Sequence, residues 1–525
     1  MARIEDHAEL LERAQRESAE IRLAWLRGHG LGRENETARA SLYRQTETAR
    51  ARLLGQEGQE SLEQALREHR YSPAELRWLP RQLAQLAREE VLREGYRRLS
   101  QSLATRVPVG SEARTPRELL GLLADPKHST HGPNALLRAL GAAWDPHTAY
   151  FAELRDRANH AASLQLAQVP VTPAEVSADP ATAPQLDAVH DKAKTAGLIE
   201  PAAATPPPSP VEYAEQWLSS TDDAAYELIA WLTKRSSERG ETGLGTLFTG
   251  LRAMQLDGLA TPQRRLFRLA EGARRLGFER DMSARMRAEA GETWLIPAAQ
   301  CVVLAVPSDV RVVQALPEYG VLSDLADAQS LGEALALCLV SPALSPVLSR
   351  PVGTSVSVGA CIGGLFLQLR ADPGYLHRVE GIDKTHAATL GRHAALWILL
   401  RARLAAALYC AERRPARSAA ERVASWASAG ERALGPGNEL PPALATLMLV
   451  SAAAPERDFE ALARGCELHA ALRERYDVDF YLNPRVSEVL RGAAQRGNTL
   501  EPAELGAELR TDTGAGIARM FELLG

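Results

Sequence analysis

Asp327-Ala328-Gln329-Ser330-Leu331-Gly332-Glu333-Ala334-Leu335 lies within an apolar run that predicts a helix over 321–340. Residues at i and i+4 stand one above the other on a helix, so Gln329 and Glu333 share a face. Upstream, Trp294 to Val313 carries Val302, Val303, Val306, Val310, Val312 and Val313, with prolines at 297 and 307. That is β-rich composition, with proline where edge strands tolerate it. Downstream, Leu390, Trp397, Leu400, Leu404 and Leu408 recur at helical spacing and predict one long helix. The expected fold class is mainly α, a multi-helix body with a small β-sheet near residues 294–316.

The order of these segments carries a resemblance. Thr293 to Val313 is similar to the edge sheet that precedes the motif helix in the helical zinc metallopeptidases of the oligoendopeptidase F and thimet oligopeptidase type. Ser355-Val356-Ser357-Val358-Gly359 resembles their Ser-Val-Thr-Glu-Gly, and Gly374 to Tyr409 resembles the long helix that follows. Arg473 to Arg485 resembles their closing segment. The resemblance implies a peptidase-like clamshell in which His-Glu-Leu-Gly-His would supply two zinc-binding imidazoles and the Glu that activates the metal's water. Here Gln329, Ser330 and Glu333 stand at those three positions, and only Leu331-Gly332 survives. Val358 stands where the family's third ligand belongs, and Asp458 near where its oxyanion-stabilising Tyr or His would come. The resemblance therefore implies a degenerate site with no catalytic residue, no metal and no cofactor. Val358 is expected to point at the face carrying Gln329 and Glu333.

Other features bound the reading. The 525 residues, 45% apolar and 24% charged, suit a large globular chain. A net charge of −5 gives no electrostatic case for nucleic acid or an anionic membrane. Five cysteines, with no Cys-x-x-Cys, read as buried thiols in a reducing compartment. The N-terminus lacks an apolar signal core, so the expected location is cytoplasmic. Five lysines against an arginine excess suggest a GC-rich bacterial coding sequence.

Residues 5–105 show apolar positions at helical spacing, for example Leu10, Ala14, Ala19, Leu23 and Leu26. Capping-box starts are expected at Ser72-Pro73-Ala74-Glu75, Thr115-Pro116-Arg117-Glu118 and Ser209-Pro210-Val211-Glu212. The division is an N-terminal helical region (1–168), a Pro/Ala-rich linker or inserted loop (169–209) and a metallopeptidase-like helical domain (210–525). Among the histidines, His386 and His393 are i, i+7, about 10 Å apart along a helix, too far for one zinc. Gly243-Leu244-Gly245 lacks the third glycine of a dinucleotide loop.

The leading functional expectation is a pseudoenzyme: an inactive metallopeptidase-like protein that binds peptide along Gln329, Ser330 and Glu333, or partners or regulates an active enzyme such as a metallopeptidase paralogue. The other classes are an active hydrolase with an unrecognised site and a structural interaction scaffold. Because Gln, Ser and Glu are mostly exposed residues, an open groove is expected beside them.

Overall fold

The computed structural model describes residues 7–24, 49–124, 129–168, 209–237, 243–278, 285–291, 300–315, 320–351, 356–451 and 455–524. The linker or inserted loop expected at 169–209 lies outside the described residues but for Ser209.

All three expected helix starts form as reciprocal boxes. The Ser72 and Thr115 backbone N–H groups donate to Glu75 and Glu118 at 2.7 and 2.6 Å, and that of Ser209 donates to Glu212 at 2.9 Å. Each glutamate N–H returns a bond to the Ser or Thr hydroxyl at 3.2–3.3 Å. Two donors that a helix start leaves open are thereby satisfied without water.

The helices that position the site are α1 (His7–Ala24), α2 (Pro73–Ala104), α3 (Pro133–Gln168), α4 (Pro210–Ser237), α5 (Val321–Leu339), α6 (Val358–Ala371), α7 (Lys384–Arg413), α8 (Pro455–Tyr476) and α9 (Pro502–Leu509). One buried cluster runs from Leu92 and Trp144 through Leu365 and Leu399 to Leu523, so the segments on both sides of 169–209 share a core. The long helix α7 is its axis: it packs against α4, α6, α8 and the helix Ala419–Leu434. By length and composition α7 could cross a membrane, but 89% of its apolar window is buried inside the protein.

Strands β1 (Val107–Val109) and β2 (Glu112–Arg114) form a hairpin that the sequence reading did not anticipate. The expected sheet is present as β3 (Met286–Gly291), β4 (Gln300–Ala305) and β5 (Asp309–Ala315), with β5 central, parallel to β3 and antiparallel to β4. It begins earlier than predicted. Met286-Arg287-Ala288-Glu289-Ala290-Gly291 holds no β-branched residue, and its strand state comes from pairing with β5 rather than from propensity. Val310 and Val312 pack on Ala334, Leu337 and Cys338 of α5, while Val302 and Val313 pack on Leu23 of α1.

Candidate functional site

Helix α5 forms where expected and carries Gln329 and Glu333 one turn apart. Each meets an arginine. The Arg401 Nη1 of α7 donates to Gln329 Oε1 at 2.7 Å, and the same guanidinium grips Asp458 of α8 through Nε (2.9 Å) and Nη2. Its face lies over the Trp397 ring, 4.9 Å from the centroid. One residue before Asp458, Arg457 ion-pairs with Glu333. Burial opposes the Arg457 charge, but Glu333, Cys301 and Asp458 together hold the guanidinium above its ordinary range. Burial also raises the nearby Cys301 thiol, with Glu333 adding to the effect.

This arrangement corrects two expectations. The first concerns the groove: Ser330 and Glu333 are 6% and 8% exposed, so these side chains do not line an open channel. Glu333 escapes the cost of sealing a polar group away from water because Arg457 supplies a donor. The space remaining beside Glu333, Arg457 and Cys301 is a cavity of about 110 Å³. Ligand sites are commonly about 300–1,000 Å³, so no peptide segment fits there.

The second correction concerns Val358. A Cβ placed on Gly363 of α6 would stand 2.6 Å from the Gln329 carbonyl oxygen and 3.3 Å from Glu333 Cβ. Gly363 thus faces the pair, and Val358, buried at the start of α6, is five residues away, about 7.5 Å along the axis. The glycines explain the register. Gly363 lets α6 press on α5, and Gly364 lets its other side press on Gly465 and the Ala461 carbonyl of α8.

These residues do not fit a catalytic zinc. The i, i+4 positions present an amide and a carboxylate already bound by guanidiniums, and α6 offers a glycine where a third ligand would reach in. The positive charge at this junction is that of two arginines. Among the described residues, no group of three or more His, Cys, Asp or Glu side chains is placed to hold a metal. His386 bonds to Asp383 at the start of α7, and His393 Nε2 bonds to the Leu251 carbonyl at 2.5 Å, consistent with structural roles.

Arg401 and Arg457 had no role in the sequence reading. A signal was available: an amide and an acid on one face of an otherwise apolar helix require donors, and arginine is the residue most used for such pairs.

A larger cleft, about 740 Å³, opens between α2 and α3 on one side and α7, α8 and α9 on the other. Glu460 of α8 lines it and is itself 8% exposed. Burial, helped by the Glu456 charge, raises its carboxyl from 4.5 to about 7. Below pH 4.5 the group is protonated folded or unfolded and costs nothing. Above pH 7 it is ionised in both states and the full burial penalty applies. Glu460→Gln is therefore expected to match wild type in denaturant unfolding at pH 4.5 and to exceed it at pH 8 by about 1–3 kcal/mol. Equal stability of the two proteins at pH 8 would count against a raised carboxyl.

Comparison with solved structures places the fold. Trypanosoma cruzi metallocarboxypeptidase 1 matches at 13% identity over 99% of this chain and 98% of its own, with a TM-score of 0.50. PZ peptidase A in an inhibitor-bound structure matches at 12% identity over 94% and 91%, with a TM-score of 0.53. A Bacillus anthracis protein described as an oligoendopeptidase F matches at 11% identity over 91% and 85%, also at 0.53. At such identities the likeness is one of fold. No family model matches the chain, and no curated protein matches it by sequence.

Proposed function

We propose that this chain, a mainly α protein with the fold of helical metallopeptidases, is a non-hydrolysing peptide-binding protein whose former metal position has become an arginine clasp. The observation that carries the reading is the replacement of ligand chemistry by the pairs Gln329–Arg401–Asp458 and Glu333–Arg457, with Gly363 closing the third side. A catalytic zinc needs three protein ligands and an open position for water. The clasp provides neither.

Loss of the metal does not close the clamshell. The 740 Å³ cleft is within the size range of ligand sites, and its walls mix Trp78, Tyr213 and Tyr409 with charged groups. Peptide binding is thus assigned to this cleft and not to Gln329, Ser330 and Glu333. The expected result is that protein equilibrated with zinc and passed through a desalting column retains less than about a tenth of an equivalent by elemental analysis, and cleaves no member of an oligopeptide library. One zinc per chain, or hydrolysis abolished by a chelator, would overturn the reading.

A further inference from the structure

Among the described residues, the charges that line the cleft pair off, with one exception. Arg81 approaches Glu501 at 3.6 Å, and Arg413 binds Glu456 at 2.9 Å. Arg88 and Arg155 converge on Glu412, the first at 3.8 Å. Arg464 is one turn beyond Glu460 on α8 and is its natural i, i+4 partner. It turns away, donating to Glu467 at 2.8 Å and covering the Tyr213 ring at 4.3 Å. Glu460 is left without a hydrogen bond or ion pair among the described residues, although more than nine-tenths of its surface is buried and the remainder faces the cleft.

Buried carboxyls are normally paired, so an unpaired one at the wall of an open cleft marks a place for a partner from outside. A divalent metal is a poor candidate, because a single carboxylate does not make a metal site. An anion is worse, because every arginine named above already has its acceptor. A compact monocation fits: it needs one carboxylate, and with Arg81, Arg413 and Arg464 already over the Trp78, Tyr409 and Tyr213 rings, Glu460 is the acceptor left for it.

We propose that Glu460 receives a primary ammonium group of a peptide bound in the cleft, either its α-amine or a lysine side chain. The proposal rests on the reading of this cleft as the peptide site. It gives the unpaired carboxyl a role and explains why Arg464, though correctly spaced, is held elsewhere. On binding, the carboxyl gives up its proton to solvent and the ammonium keeps its own, so the bound pair is charged on both sides. The elevation of this carboxyl to about 7, with Glu456, Arg464, Arg81 and Glu467 as its charged neighbours, makes that release visible near neutral pH.

The test uses the full chain and three pools of random hexapeptides that differ only in their amine. One has a free N-terminus with norleucine in place of lysine, one is acetylated with a single lysine, and one is acetylated with norleucine. Titration calorimetry at pH 8 is expected to show at least about tenfold tighter binding for one of the amine-bearing pools than for the fully blocked pool. The pool that gains identifies the source of the ammonium. That advantage should shrink at pH 6, where Glu460 is protonated, and should disappear in Glu460→Gln. The wild-type pH dependence stands as evidence even if the variant folds poorly. If all three pools bind equally, the ammonium site is wrong while the peptide-binding reading survives. If none binds, the peptide-binding reading itself falls, and this proposal with it.

Discussion

Arg370→Ala is expected to lose about 3–5 kcal/mol of folding stability, the range seen when one member of a buried ion pair is removed. Arg370 projects from α6 into the core, where its Nε donates to Asp324 of α5 at 2.9 Å and Nη1 pairs with Glu380. The side chains of all three are at most 2% exposed. Truncation to alanine strands the Asp324 carboxylate, while Glu380 keeps, among the described residues, Arg268 at 3.9 Å. Denaturant unfolding at pH 7 should show the loss as a lower midpoint. Arg370→Lys should fall between the two proteins, since an ammonium cannot span both acids as a planar guanidinium does. A loss under about 1 kcal/mol for the alanine variant would mean that the network is not what holds α5 to α6.

The second large effect concerns an attempted return to zinc. The triple variant Gln329→His, Ser330→Glu, Glu333→His restores the letters of the motif and is expected to be both less stable and unable to hold metal. Replacing Glu333 leaves Arg457 buried without its carboxylate, and replacing Gln329 takes one acceptor from Arg401. Together these should cost about 2–4 kcal/mol, somewhat below the fully buried case because Arg401 keeps Asp458. Two imidazoles beside two guanidiniums, with glycine opposite, remain a ligand short and electrostatically hostile to a dication. Melting temperature and bound zinc measured on the same sample check both halves. Retention of one zinc per chain by this variant would show that the clasp yields to a metal and that Gly363 does not close the site.

The sequence made legible whatever depended on local pattern. Three helix starts followed from Ser or Thr, Pro and Glu at fixed spacing, and all three form as reciprocal boxes. The shared face of Gln329 and Glu333 followed from helical geometry, and α7 from its leucines. What failed depended on contacts between distant segments. Arg401 and Gln329 are 72 residues apart, and Arg457 and Glu333 are 124 apart. No periodicity links them. The register of α6 was misjudged because a motif match fixes order along the chain but not how closely two helices pack. Gly363 and Gly364 set that distance, and a glycine carries no sign of which neighbour it admits. Exposure of Ser330 and Glu333 was inferred from average residue behaviour, which a partner arginine overrides.

The burial of α7 bears on how the chain comes into being. Its apolar window is covered by α6 and α4, which precede it in the sequence, and by Ala419–Leu434 and α8, which follow. During synthesis the N-terminal segments emerge first, so for an interval this helix is outside the ribosome with only half of its covering available. In that interval it has the length and composition of a membrane insert. A chain arrested before α8 is made should therefore be held by chaperones or drawn to bilayers, whereas the finished chain presents neither with that surface.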